Sequence, residues 1–154
     1  MKTQDYLDKL GIIPSECACD LCVSMCTAPC CGSVEDIEKI IDAGYAHRIM
    51  FDNLPTCRGS DEILKPALKG YEGKRAPWAV KSRKGCTFWD ENGRCELHNK
   101  NLKPVLGRVA IHGYPIDYHE QFGEISKEDW ESERGKELIS KWKKIVGYVE
   151  EDEK

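Results

Sequence analysis

The chain has 154 residues, about 40% hydrophobic and 32% charged, with a sequence pI near 5.6, which fits one domain with a modest core and not two full-size ones. No apolar run approaches the roughly 20 residues that a bilayer crossing needs, and Met1 to Leu10 is polar and charged, unlike a signal peptide. A soluble, cytoplasmic protein is expected, and the formal net charge of -4 argues against nucleic acid or an anionic membrane as a general partner.

Tyr6, Leu7 and Leu10 recur at helical spacing before Gly11, which predicts a short helix over residues 3–10. The stretch ECACDLCVSMCTAPCCG follows and ends at Gly32. Ser33 with Asp36 three residues later reads as a helix cap, Val34, Ile37, Ile40 and Ile41 supply the apolar stripe, and Gly44 the stop. Tyr45 to Phe51 adds a further turn or two. Pro55, Gly59 and Pro66 break residues 53–67 into a predicted loop, and the Gly-, Lys- and Arg-rich residues 69–84 read as an exposed connection. His47 and Arg48 are expected in solvated or half-buried structural roles. In CTFWDENGRCELH, the Asn92-Gly93 pair favours a tight hairpin turn that brings Cys86 and Cys95 near each other across two short strands. Ser126, with Asp129 three residues on, opens an amphipathic carboxy-terminal helix over residues 126–148, whose stripe of Trp130, Leu138, Ile139, Trp142, Ile145 and Val146 is read as core. Residues 150–154 are expected to fray. The fold class is thus small α+β, mostly helical and loop-rich around a cysteine cluster, in one domain over residues 1–154.

The chemistry lies in the cysteines. Nine occur in the chain, and six of them fall between Cys17 and Cys31, so something must hold them together. A disulfide framework suits a secreted chain rather than a reducing compartment, and it leaves an odd thiol over. Buried free thiols are a second alternative. Thiolate metal ligation is the favoured one, because a metal needs several soft donors converging, and a turn, a helix stripe or a hairpin can supply them. Cys19, Cys22, Cys26 and Cys30 are three, four and four residues apart, which a helix would place on one face, although Pro29 interrupts a helix before Cys30. Cys22 and Cys26 are the best helical pair. The adjacent Cys30 and Cys31 point apart in regular structure, so they serve two sites or one of them is spare. The long gaps to Cys57 and Cys86 fit no compact four-cysteine zinc pattern, and clustered ligands followed by distant ones also suit iron–sulfur ligation. Zinc and an iron–sulfur cluster both remain open as the cofactor. His98 is the best-placed histidine substitute, with a backbone-bonded strand-end role as its alternative.

The order Cys22-x3-Cys26-x3-Cys30-Cys31, then SVEDIEKIIDAGY, GCTFWDENGRCELH and KPVLGR, resembles the YkgJ family of cysteine-cluster proteins, described as zinc- or iron-chelating domains. The resemblance covers roughly residues 17–113. The first motif is similar to that family's CxxCxxCC with one residue more in each gap, and the second fits at Cys86 and Cys95. The family continues with Arg-Pro, two residues, Cys and Arg, where this chain has Lys103-Pro104-Val105-Leu106-Gly107-Arg108, so one expected ligand is absent at Gly107. The upstream Cys17 and Cys19 are a surplus that can make up the deficit; an open, exchangeable ligand position is the alternative. The resemblance implies metal binding through Cys22, Cys26, Cys30, Cys31, Cys86 and Cys95 and implies little about a reaction; Cys57, which follows Pro55 in a broken segment away from both motifs, is expected to be a bystander.

Three functions follow: a structural or accessory metal-binding protein whose metal replaces part of a hydrophobic core; a metal sensor or trafficking protein, which needs partially exposed thiolates; or an iron–sulfur enzyme or enzyme subunit. The third draws on flagellin lysine methylase, which carries a similar cluster and suggests methyl-transfer or redox chemistry. No glycine-rich nucleotide loop, H-E-x-x-H or nucleophile–base pair supports catalysis. A protein partner is conceivable, and none is specified.

Overall fold

Helix α1 covers Thr3–Leu10 and stops where Gly11 takes φ 67°, the left-handed angle that a side chain resists. Its first turn is closed by Asp5, whose carboxylate accepts the Lys2 amide at 3.0 Å. Tyr6 and Leu7 face inward, and Leu10 packs against the same cluster. The computed structural model describes residues 2–11, 30–56, 59–76, 85–89, 95–97, 100–105 and 118–149.

Helix α2, Val34–Ile40, begins as its sequence requires. The Ser33 hydroxyl accepts the Asp36 amide at 2.9 Å and the Asp36 carboxylate accepts the Ser33 amide at 3.1 Å, so each satisfies a donor that the first helical turn leaves over. Val34, Ile37, Ile40 and Ile41 are buried. The coil continues to Tyr45, is broken by Gly44 at φ 96°, and leads through a single 3-10 turn, Ala46–Arg48, into the sheet.

Strands β1, Ile49–Thr56, and β2, Gly59–Pro66, form an antiparallel pair with Ile49 opposite Pro66, Phe51 opposite Leu64 and Asp52 opposite Ile63. This overturns the loop expected over residues 53–67. Pro66 is the last residue of β2, and Pro55 lies one position from the end of β1, where a missing amide costs little. Ile49, Met50 and Phe51 on β1, with Ile63 and Leu64 on β2, are all buried, so both faces are covered and the polar alternation of a half-exposed strand is absent. Residues 73–76 of the expected exposed connection close the free edge of β1: Gly73 donates to the Ile49 carbonyl at 2.8 Å, Phe51 to Lys74 at 3.0 Å and Ala76 to Phe51 at 2.7 Å.

Where one carboxy-terminal helix opening at Ser126 is expected, there are two: α3, Tyr118–Trp130, and α4, Glu133–Val146. Ser126 and Asp129 do not cap. They lie on the buried face of α3, and the cap of α4 is Ser132, whose hydroxyl accepts the Gly135 amide at 3.2 Å. Gly147 at φ 65° ends α4. The expected core stripe holds at Trp130, Leu138, Ile139 and Trp142, whereas Ile145 is exposed. Both tryptophans satisfy their indole N–H while burying the ring: Trp130 donates to the Gly32 carbonyl at 3.2 Å and Trp142 to Ala46 at 2.8 Å. The described residues therefore make an α+β arrangement of four helices and a two-stranded sheet around one main apolar cluster, which runs from Tyr6 to Trp142. None of these helices is long and apolar enough to cross a membrane.

Candidate metal centre

Four of the expected ligands fall within the described residues: Cys30, Cys31, Cys86 and Cys95. Cys30 and Cys31 lead into Gly32 and the Ser33 cap, so the start of α2 fixes their backbone. Cys31 is only 8% exposed, and Cys30 is half-buried. A side chain at residue 32 is excluded, since a Cβ there would stand 2.8 Å from both the Asp36 carboxylate and Pro104.

Cys86 is 5% exposed and pairs, through an antiparallel bridge, with Leu68, just past β2. Thr87 donates to the Ala67 carbonyl at 2.8 Å and Lys69 to Gly85 at 3.0 Å. Cys95 pairs with Trp89, and Glu96 donates to the Phe88 carbonyl at 2.8 Å. The chain thus reverses between residues 89 and 95, as the hairpin reading expects, although the cross-strand partner of Cys95 is Trp89 and not Cys86. The Trp89 amide donates to the Cys86 carbonyl at 3.0 Å, so both cysteines lie next to Trp89 along the backbone. The expected turn residues, Asn92 and Gly93, are outside the described residues.

Arg48 ties the two cysteine-bearing pieces together. Its guanidinium donates to the Thr87 carbonyl at 2.7 Å, pairs with Glu96, and lies 4.2 Å from the centre of the Phe88 ring. Thr87 follows Cys86 and Glu96 follows Cys95, so one planar cation braces both segments. The half-buried role expected for Arg48 takes this form.

Cys31 and Cys86 belong to the main buried cluster, and Cys95 packs against it. The Cys31 thiol is pushed up chiefly by burial, while Lys65 pulls it back and Asp52 adds a smaller upward push. Lys65 and Asp52 share one face of the sheet, as diagonal neighbours in the register Met50–Lys65 and Asp52–Ile63, and their charged ends are 2.5 Å apart. Burial works to lower the Lys65 ammonium, but the charges at Cys31 and Asp52 outweigh it and hold the group above its ordinary value.

Among the described residues no three His, Cys, Asp or Glu side chains converge as a metal site. A four-donor centre on Cys31 and Cys86 therefore has to draw ligands from elsewhere in the chain. Of the expected ligands, Cys17, Cys19, Cys22 and Cys26 lie outside the described residues, as do Cys57, His98 and Gly107. Sequence reasoning missed the Lys65–Asp52 pair and the brace at Arg48, since both depend on strand register and on contacts between distant segments. The chain matches no family model, no curated protein and no solved structure in comparisons with each.

Proposed function

We propose that the protein binds zinc or an iron–sulfur centre through clustered cysteine thiolates, as a cytoplasmic metal-binding protein of the cysteine-cluster kind that its motifs resemble, in a structural or accessory role. The observation that supports this reading is the burial of the Cys31 and Cys86 thiols in the main core, with Cys95 packed against it. Buried thiols become ligands when a metal replaces their protons, and a cation supplies the compensation that burial denies an isolated thiolate. The remaining donors in this reading come from Cys22, Cys26 and Cys30, with Cys17 and Cys19 making up for Gly107. The test is metal analysis and an absorption spectrum on protein purified without oxygen. Stoichiometric zinc in a colourless protein, or iron and sulfide in a brown one, is expected. A metal-free protein in which all nine thiols react freely with a thiol reagent would overturn the reading.

A metal sensor or trafficking role is the second reading, favoured by the half-buried Cys30 and Cys95, since accessible ligands let metal be exchanged. Transfer to a competing chelator within seconds rather than hours would select it over a closed structural site.

A further inference from the structure

Helix α4 buries Leu138, Ile139 and Trp142 in the core, and its outward side is a shallow groove of about 560 Å³ lined by Lys136, Glu137, Ser140, Lys141, Lys144 and Ile145. Ile145 is 42% exposed there, one of two large apolar side chains left to water among the described residues. At 3.6 residues per turn, Glu137 and Lys144 are almost two whole turns apart, so they share one line along the helix, separated by about 10 Å. Ser140 and Lys141 flank the midpoint of that line on opposite sides. Among the described residues no salt bridge ties Glu137 or Lys144 to another side chain, while Lys141 is drawn toward Asp42 at 3.8 Å.

We propose that this face of α4 is a self-docking surface, on which the same face of a second copy lies antiparallel about a two-fold axis between Ser140 and Lys141. Such an axis sets residue 137 of each copy against residue 144 of the other, because the two positions are centred on it. Glu137 then meets Lys144 twice in the dimer. Ser140, the smallest side chain of the groove, meets its own equivalent and lets the helix axes approach to the about 8–10 Å usual for packed helices. Asp42 offsets the Lys141 charge, which faces its own equivalent on the other flank. An acidic partner would meet Glu137 in the middle of the line and a basic one would meet the lysines, whereas a second copy answers both signs. One helix face is smaller than the roughly 800 Å² per partner of stable interfaces, so the dimer is weak and exchanges with monomer. Nothing in this pairing involves a cysteine or a metal.

Sedimentation equilibrium in reductant, over a range of protein concentrations, is the test. At low salt the wild-type chain should pass from monomer toward dimer as concentration rises, and it should lose most of that association in about 1 M salt, where charges act over only about 3 Å. Glu137→Lys and Lys144→Glu each set like charges against one another twice, so each alone should lower the dimerisation constant by about tenfold or more. Both positions are exposed, and the thermal transitions should stay those of the wild type. Mixing the two single variants should restore association, because every close pair between them is again of opposite sign, and the double variant should dimerise by itself for the same reason. A wild-type chain that is monomeric at every concentration, a dimer that survives both single substitutions, or single variants that stay apart when mixed would overturn the inference.

Discussion

Asp36 and Asp129 are buried carboxylates that meet hydrogen-bond donors at the start of α2. Asp36 accepts from the Thr3 hydroxyl at 2.6 Å and from the Ser33 and Val105 amides at 3.1 and 2.9 Å. Asp129 accepts from the Tyr6 hydroxyl at 2.7 Å and from the Val34 amide at 2.9 Å. Helix α1 is therefore fastened to α2 and α3 through charge-assisted bonds shielded from water. The Tyr6 phenol is raised well above its ordinary value, first by burial and then by the Asp129 charge. Above a pH of about 10 the unfolded chain releases this proton and the folded chain keeps it, so stability present below that pH falls as pH rises. Tyr6→Phe should cost about 2 kcal/mol at neutral pH and flatten the alkaline fall, as denaturant titrations at pH 7 and above pH 10 would read. Among the cysteines, Cys86→Ser should lose most bound metal, because serine is a poor ligand of similar size, while Cys57→Ser keeps it. Equal metal loss in both would remove the ranking.

At the scale of elements, the features legible in the sequence are those encoded locally. Gly11, the Ser33 and Asp36 cap and the Gly44 stop each act within a few residues, so spacing alone located them. The hairpin of β1 and β2 was hidden because its apolar run is buried on both faces and its prolines lie at or near strand ends, where they stop nothing. Ser126 and Asp129 imitate a cap because the three-residue spacing that closes a first turn also puts two polar side chains on one helix face. Only the distant partner of Asp129 tells the two apart. The join between α3 and α4 depends on Gly135, where a Cβ would stand 2.5 Å from the Trp130 carbonyl oxygen, part of the backbone. Gly135→Ala should therefore destabilise by about 1–3 kcal/mol despite alanine's better helix propensity, and a lower midpoint of thermal unfolding is the measurement.

For the whole molecule, composition suggested a chain leaning on metal for want of a core, and the structure provides a core of its own in which Tyr6, Phe51, Phe88, Trp130 and Trp142 are buried. Thiolate metal sites contribute about 10–16 kcal/mol of apparent stability, as much as a typical domain holds in total. Chelation under reducing conditions should thus lower the thermal transition markedly while circular dichroism at low temperature retains the helical signal of α1 to α4. An unchanged transition would remove the metal from the stability of the fold. The candidate centre was legible as a set of cysteines and not as a geometry, since the burial of Cys31 and Cys86 in the main core cluster depends on contacts between segments distant in the chain.

The fastening of α1 has a consequence for how ligands are gathered. Gly11 at one end and Cys30 at the other are both placed by contacts in which no thiol takes part: Thr3, Tyr6, Ser33 and the two carboxylates. The cysteines between these anchors enter the proposed centre as arms of a chelate, at an effective concentration on the order of millimolar for a short tether. That concentration is independent of how dilute the protein is. Releasing α1 would free one end of the tether, and metal affinity would fall although Tyr6 and Asp129 touch no metal.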